Sequence, residues 1–303
     1  MRVSTPMIMG NLAQRIADNA ERLYRLQQQI SSGKRIQAPS DDPVGASRAA
    51  QMRSSLAQLA QYAANVDLGS QKLKTVDGLL GDLATTLRSA RDLALQGANG
   101  ALAEDSRSGL ASVVDDLIRQ VTAIANSESG GYYVFAGLKT LTTPFASTGG
   151  TPPVSYAGDS GTQNIEVGRN ATIVVSVSGD QVFNMNGAAD PALDDVFTTL
   201  TKLRDEILAG DNAGVSQRIT DLDAQLGRAL VLRADVGGKL QQLDLCATQL
   251  QNVQLSVQDA LSKTEDVDLA QAAVDLQAQQ NLYQATAAVA AQVSQWTLLN
   301  YLT

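Results

Sequence analysis

The apolar residues of the first thirty positions follow a heptad pattern, which constrains the fold more than any other feature of this sequence. They recur at spacings of three and four, interrupted once by Asn19. Such a stripe is narrower than the apolar face of a globular-protein helix and is typical of a helix that pairs with one partner helix. Asn19 either fixes the register of that pair or lies in solvent, and the sequence leaves both open. The stripe comprises Met9, Leu12, Ile16, Leu23, Leu26 and Ile30.

Glycine and proline end this stripe and predict an ordered linker over residues 31–44. Gly33 is suited to a left-handed helix cap, and the prolines at 39 and 43 favour extended backbone between them. A second stripe from Met52 to Ala94 predicts a helix over about 45–96, roughly 75 Å long at the standard rise. A compact domain does not need such a rod. Other stripes predict a helix capped by Ser106, one that starts at Asp190-Pro191, a long one over 215–261 and a last one that starts near 266–268.

The middle of the chain has a different character. Residues 131–189 are rich in β-branched and aromatic residues divided by glycine and proline, which predicts a small β-rich domain. Strands are predicted over 132–135, 152–156, 165–167, 173–177 and 182–183, with hairpin turns at 158–161 and 178–180. The predicted fold class is mainly α, a long antiparallel helical bundle with coiled-coil terminal helices and this β-rich insert. The predicted domains are 1–44 with 265–303, 45–130 with 190–264, and 131–189.

The composition excludes several classes of function. The 303 residues include no histidine and one cysteine, Cys246, so histidine-based nucleophile systems, histidine metal sites and an intramolecular disulfide are excluded. A net charge of −8 argues against nucleic acid as a partner. No apolar run approaches the roughly 20 residues that cross a bilayer, and Met1–Gly10 lacks the apolar block of a cleavable secretory signal. We expect no enzyme activity, no metal, no cofactor and no membrane insertion.

The two ends of the chain carry opposite charge. Residues 1–60 contain eight basic and four acidic residues, whereas residues 241–303 contain one lysine and six acids. This difference favours association of the two ends, with uneven sampling of solvated charge as the alternative. After Asp275 the last 28 residues carry no charge but eight amide side chains. That composition is too polar for a bilayer and unusual for a solvated helix, so we expect packed protein around it and a subunit completed by neighbouring copies.

Three segments of the chain resemble the bacterial flagellin superfamily. The first covers residues 26–46 and includes Ser31-Ser32-Gly33-Lys34-Arg35 and Pro39-Ser40-Asp41-Asp42-Pro43. The second is Tyr132–Thr140, and the third runs from Asp268 through Gln280 and Tyr283 to Ser294–Leu302. Within the superfamily, the opening Met1–Thr5 and the Pro-Ser-Asp-Asp-Pro form are similar to the hook-associated protein 3 family, the hook–filament junction proteins. Flagellin more often has Ala-Lys-Asp-Asp-Ala at the latter place.

This resemblance implies a structural protein of the extracellular bacterial flagellum. It implies export through the flagellar type III apparatus with an export chaperone and without a cleaved signal. It also implies a ring of copies between hook-associated protein 1 and flagellin. The terminal helices would lie in an inner tube, the long helices outside it and the β-rich insert outermost. The nearest alternative is a short flagellin that forms the filament itself. An acidic helical enzyme with a carboxylate site and a helical signalling adaptor that dimerises through its N-terminal seam are alternatives from other classes.

The candidate subunit-interface residues come from both ends. The N-terminal stripe is expected to pair with a C-terminal stripe that includes Val289, Val293, Trp296 and Leu299. Asp41 and Asp42 are expected to cap a helix or contact a neighbouring subunit, with loop solvation as the alternative. Trp296 and Tyr301 are candidate interface anchors, with intramolecular packing as the alternative. Adjacent acids on a helix diverge by about 100 degrees, so Asp115-Asp116 and Asp194-Asp195 are expected on solvated faces. The full candidate set is Leu12, Ile16, Leu23, Leu26, Ile30, Pro39, Asp41, Asp42, Pro43, Tyr283, Val289, Val293, Trp296, Leu299 and Tyr301.

Overall fold

The structure, a computed structural model, describes residues 5–99, 102–150 and 152–302, with side chains except at positions 5, 6, 8, 186 and 294–302. The chain divides into two compact units, Met1–Gln58 with Val253–Thr303 and Leu59–Asn252. The described residues form the helices α1 (Thr5–Ser32), α2 (Pro43–Gly97), α3 (Glu104–Ala125), α4 (Gly179–Phe183), α5 (Val196–Ala209), α6 (Asn212–Glu265) and α7 (Leu269–Leu302).

The two longest helices confirm the periodicity read from the sequence. Helix α2 has 55 residues and α6 has 54, and each exceeds its predicted range by only a few residues. Pro43 opens α2, where its fixed φ suits the first turn and its missing N–H leaves no helical bond unmade. Gly33 follows α1 with φ of 70°, the left-handed conformation predicted for it.

Two predicted helix starts are wrong. Helix α3 begins at Glu104 rather than after Ser106, and its first turn carries two acids that complement the helix dipole. Helix α5 begins at Val196 rather than at Asp190-Pro191. Its cap is Asp195, whose side chain accepts a 2.8 Å hydrogen bond from the Thr198 amide.

The β-rich segment forms three separate antiparallel pairs. Strand β1 (Glu128–Ser129) pairs with β2 (Tyr132–Tyr133), β3 (Phe145–Ser147) with β4 (Val154–Tyr156), and β5 (Asn164–Gly168) with β6 (Ala171–Val174). Strands β1 and β3 were not predicted. The segment 158–161 joins β4 to β5, which belong to different pairs, so it is not a hairpin turn. The predicted turn at 178–180 and strand at 182–183 are also wrong, because Gly179–Phe183 forms α4.

The unit Leu59–Asn252 has an aliphatic core with one aromatic centre. Helices α2, α3, α5 and α6 contribute rows of fully buried leucine and valine, as at Leu80, Val121, Leu203 and Leu222. Ion pairs from Asp77 to Arg233 and from Arg91 to Asp223 show that α2 and α6 run antiparallel, since the α6 partner moves backwards as α2 advances.

All four phenylalanines of the chain meet at that aromatic centre. Phe183 of α4 lies 4.9 Å from Phe145 and 5.6 Å from both Phe135 and Phe197, measured between ring centroids. Its plane is inclined by 89° to the ring of Phe135 and by 71° to that of Phe145, edge-to-face arrangements that aromatic quadrupoles favour. This centre explains why α4 replaces the predicted strand: a helical turn places Phe183 fully inside the cluster.

We expect Phe183→Ala to lower the free energy of unfolding of this unit by about 3–5 kcal/mol, because the change leaves a cavity among the other three rings. Chemical denaturation followed by near-ultraviolet circular dichroism measures the effect. Leu141→Ala is the matched control, since Leu141 is 79% exposed and its loss should change stability by less than about 0.5 kcal/mol. Equal effects of the two substitutions would contradict the role given to the aromatic centre.

Candidate subunit interface

The N-terminal stripe lies against α7 of the same chain. Leu12, Ile16, Leu23, Leu26 and Ile30 are all half-buried, while the neighbouring positions on the outer side of α1 are exposed. On α7 the less exposed residues recur with the same heptad spacing. The heptad row consists of Ala272, Leu276, Gln279, Tyr283, Thr286, Ala290 and Val293, and Gln280 and Ala287 beside it are also partly covered. Matched seams of this kind make an antiparallel two-helix coiled coil.

Asn19 occupies the step missing from the apolar stripe and contacts α7. Its side-chain amide donates to the Thr286 hydroxyl at 3.2 Å, and the Gln279 side chain donates to its main-chain and side-chain oxygens at 3.2 and 3.3 Å. A polar residue bonded across a seam penalises any shift of one helix along the other. Of the two alternatives left open by the sequence, the structure therefore shows a register-fixing contact.

The C-terminal candidates separate into three groups. Tyr283 and Val293 lie on the seam with α1. Val289 does not, because it is 51% exposed, so its predicted place in the pairing stripe is wrong. The heptad that continues from Ala272 passes through Ala290 instead. The side chains of Trp296, Leu299 and Tyr301 lie outside the described residues, and their roles stay predictions.

The linker candidates hold a compact loop between α1 and α2. The Asp41 carboxylate accepts hydrogen bonds from the backbone amides of Ala38 at 2.9 Å and Gln37 at 3.1 Å, and these bonds lower its pKa. Asp42 accepts from the Gly45 amide at 2.8 Å, which caps α2 and lowers the pKa of this second carboxyl. Pro39 and Pro43 are exposed on either side.

Position 45 favours glycine because the loop folds back onto the start of α2. A Cβ added there would lie 2.6 Å from the Ile36 side chain, which is itself buried. A larger residue at this position would therefore displace the side chains of Ile36 and Asp42.

A buried glutamate that sequence reasoning missed fixes this loop to the turn between α6 and α7. Glu265, the last residue of α6, has only 3% of its side chain exposed and forms ion pairs with Lys34, at 2.5 Å, and with Arg53. Main-chain bonds run in parallel: the Arg35 amide donates to the Glu265 carbonyl at 2.7 Å and the Val267 amide to the Gly33 carbonyl at 3.0 Å. We call this group of contacts the Glu265 clasp.

Two opposed effects act on the pKa of Glu265. Burial disfavours the charged carboxylate and raises its pKa, while the hydrogen bonds and charges of Lys34 and Arg53 lower it. The cations outweigh the burial, so the pKa lies below its ordinary value of 4.5. The clasp is therefore charged near neutral pH.

Helix α7 carries a second apolar row outside the seam. Ala278, Leu282, Ala285 and Val289 recur at spacings of four, three and four and are all exposed. We call these residues the outer stripe of α7. Ala278 and Leu282 also line a shallow groove of about 440 Å3 between α7 and α1, whose other side is formed by Arg22 and Arg25. A helix with two heptad rows can pack against one helix on each.

Comparison with known proteins assigns the chain to a family. The bacterial flagellin N-terminal helical region matches residues 3–140, and the bacterial flagellin C-terminal helical region matches residues 214–302. Flagellar hook-associated protein 3 of Salmonella typhimurium is 30% identical over 287 residues, which cover 88% of this chain and 89% of that protein. The chain belongs to the flagellar hook-associated protein 3 family. Two flagellins of Treponema pallidum are less similar, each 26% identical.

Solved structures agree with this family fold. A flagellar hook-associated protein of Vibrio parahaemolyticus superposes with a TM-score of 0.68 at 21% identity and covers 75% of this chain and 100% of that one. The flagellar junction protein of Legionella pneumophila superposes with a TM-score of 0.60 at 18% identity over 73% of this chain and 100% of that one. The mainly α fold with long helices and a small β-rich insert is thereby confirmed.

The acidic pairs singled out in the sequence have structural partners in this family member. Asp115 bonds Arg204 at 3.0 Å while Asp116 pairs with Arg119, so the two carboxylates diverge. Asp194 pairs with Lys202, and Asp195 caps α5. Within the described ranges, no three acid or cysteine side chains group as metal ligands would, and no helix is long and apolar enough to cross a membrane.

We expect Glu265→Gln to loosen the clasp of this hook-associated protein 3 family member by about 1–2 kcal/mol, because Lys34 and Arg53 lose their counter-charge but stay half-exposed to water. Amide exchange at residues 33–36 and 264–267 measures the loss. Glu21→Gln is the control, since its pair with Arg25 is exposed and contributes little.

The difference in amide-exchange protection of the clasp between wild type and Glu265→Gln should depend on pH. A carboxyl with a lowered pKa stabilises the folded state fully above its unfolded value of 4.5, and this contribution is lost as the pH falls through the lower folded value. The two proteins should therefore differ at pH 7 and converge well below pH 4.5. A difference that persisted unchanged down to pH 2.5 would show that the charge of Glu265 is not its cause.

Proposed function

We propose that this chain is the structural subunit that joins the flagellar hook to the flagellin filament. The observation that carries the proposal is the 30% identity over 88% of the chain to a flagellar hook-associated protein 3. The geometry supports it, since the paired terminal helices retain an exposed apolar row that a single chain does not cover. The proposed role is mechanical rather than enzymatic.

The proposed partners follow from this position in the flagellum. Copies of the chain form a ring, hook-associated protein 1 lies on the hook side and flagellin on the filament side. A flagellar export chaperone accompanies the chain before type III export. The basic N-terminal and acidic C-terminal segments suit contacts between copies as well as within one chain. The division into an inner-tube domain (1–44 with 265–303), a rod domain (45–130 with 190–264) and an outer β-rich domain (131–189) belongs to this proposal.

The alternative, a short flagellin that forms the filament itself, has less support. The flagellins compared share 26% identity with this chain, below the 30% of the hook-associated protein 3. The two functions also predict different phenotypes, and a strain that lacks this protein distinguishes between them.

In a strain that lacks this protein, we expect intact hooks, no attached filaments and unpolymerised flagellin in the medium, because flagellin is exported but has no junction on which to assemble. Electron microscopy of the cells and immunoblotting of the culture supernatant measure the three properties. Filaments of normal length on the deletion strain would overturn the proposed function.

The outer stripe of α7 gives a sharper test at the residue level. We expect the double substitution Leu282→Asp and Val289→Asp to reproduce the deletion phenotype, because two charges would have to be buried between subunits. Both side chains are about half exposed in the isolated chain, so its helix content and unfolding midpoint should hardly change. Gln284→Asp, which adds one charge to an exposed position of α7 outside the stripe, is the control and should restore filaments. Normal filaments on the double variant would exclude the stripe from the interface.

A further inference from the structure

A groove in the unit Leu59–Asn252 collects exposed apolar side chains that lie outside the candidate interface described above. It lies between α2 and the β1–β2 region and has a volume of about 780 Å3. Leu68, Tyr132 and Leu138 line it, and each is at least half exposed. Single exposed apolar residues are ordinary, but their convergence in one concavity of this volume is typical of a ligand site.

All polar groups of the lining except Lys72 are uncharged. Gln71, Thr75, Ser129 and Thr140 contribute amide and hydroxyl groups around the apolar residues. Within the ranges that the structure describes, the Gln71 amide and the Tyr132 hydroxyl make no hydrogen bond. Such groups both donate and accept, so they match a ligand that is rich in hydroxyl groups.

One charge stands in this lining. Lys72 is half-buried, and its ammonium donates to the Gln163 side-chain oxygen at 2.8 Å. Gln163 is held by bonds of its own to the Gly137 carbonyl and the Ser176 hydroxyl, so the lysine has a fixed position. No described carboxylate lies within ion-pair distance of Lys72. An uncompensated cation in a partly buried groove favours an anionic ligand group.

We propose that this groove binds a short acidic oligosaccharide. The phenol ring of Tyr132 stacks on the C–H face of a sugar ring, and Leu68 and Leu138 extend the apolar wall. Gln71 and the hydroxyl groups bond sugar hydroxyls, and Lys72 binds a uronate carboxylate. An acidic peptide would satisfy the lysine and bond the hydroxyl and amide groups through its backbone, but its backbone offers no C–H face of a ring to Tyr132. The lining residues lie within 68–176 and share no member with the outer stripe of α7.

The test is calorimetric titration of the full chain with trigalacturonate and with galactotriose of the same linkage. We expect trigalacturonate to bind at least about tenfold more tightly than the neutral sugar, the difference that one charge-assisted bond supplies. Lys72→Met should abolish this preference, and Tyr132→Ala should weaken both sugars by about tenfold or more. Tyr132→Phe keeps the ring and should retain most of the affinity. Circular dichroism verifies that each variant is folded.

Two matched controls lie away from the groove. Lys74→Met removes an exposed lysine of α2 that does not line it, and Tyr24→Ala removes an exposed tyrosine of the other unit. Both should bind trigalacturonate like the wild type. No binding of trigalacturonate at about 10 mM, or unchanged binding by folded Lys72→Met and Tyr132→Ala, would overturn the proposal. Triglutamate that binds as tightly as trigalacturonate would overturn it as well, in favour of a site for acidic peptides.

Discussion

The structure of the terminal unit depends on one seam between α1 and α7 that buries only one edge of each helix. No described side chain of α1 is fully buried, and on α7 only Ala272 is. Two helices in a single seam are marginal in water, since most helical stability in proteins comes from tertiary packing of an apolar face. The remaining apolar row on α7, with Leu282 and Val289, is therefore the surface by which further stability can be gained on assembly. The interface proposed between copies of the chain uses this surface.

The Glu265 clasp adds to the seam where α1 ends and α7 begins. It joins the loop after α1, the start of α2 and the end of α6 through main-chain bonds that do not depend on side-chain identity, together with one buried carboxylate between two cations. Breaking the pair would leave a charge in a poorly solvated place, so the arrangement resists partial opening. Arg35 adds a 2.8 Å bond to the Thr264 carbonyl and pairs with Asp42, so the cap of α2 is coupled to the same group. The loop that presents Pro39 and Asp41 is thereby held in one conformation.

The long elements could be predicted from the sequence more accurately than the short ones. Strands β2, β4, β5 and β6 overlap predicted strands, whereas β1 and β3 were not predicted and α4 lies where a strand was predicted. A helix of more than fifty residues repeats its apolar period many times, so α2 and α6 were located to within a few residues. Val182 and Phe183 have strand propensity, but they form the helix α4 because that helix buries Phe183 among three other rings. In the interface, the seam of α1 was predictable because its signal lies within one helix. Glu265 was not, because the cations that give it a role lie at the opposite end of the sequence and only the fold brings them together.

The amides of α7 explain how a helix without charge can serve several contacts. After Asp275 the helix has no side chain that is charged at neutral pH, so covering any of its faces carries no cost of desolvating an ion. An amide donates hydrogen bonds without carrying a charge, and Gln279 uses this property when its Nε2 donates to two oxygens of Asn19. A glutamate at that position would face the same two oxygens with acceptors alone, and a lysine would bury a charge. Amides in place of ions thus let the same helix pair with α1 on one side and carry no electrostatic penalty on the side of Leu282 and Val289, the interface proposed above.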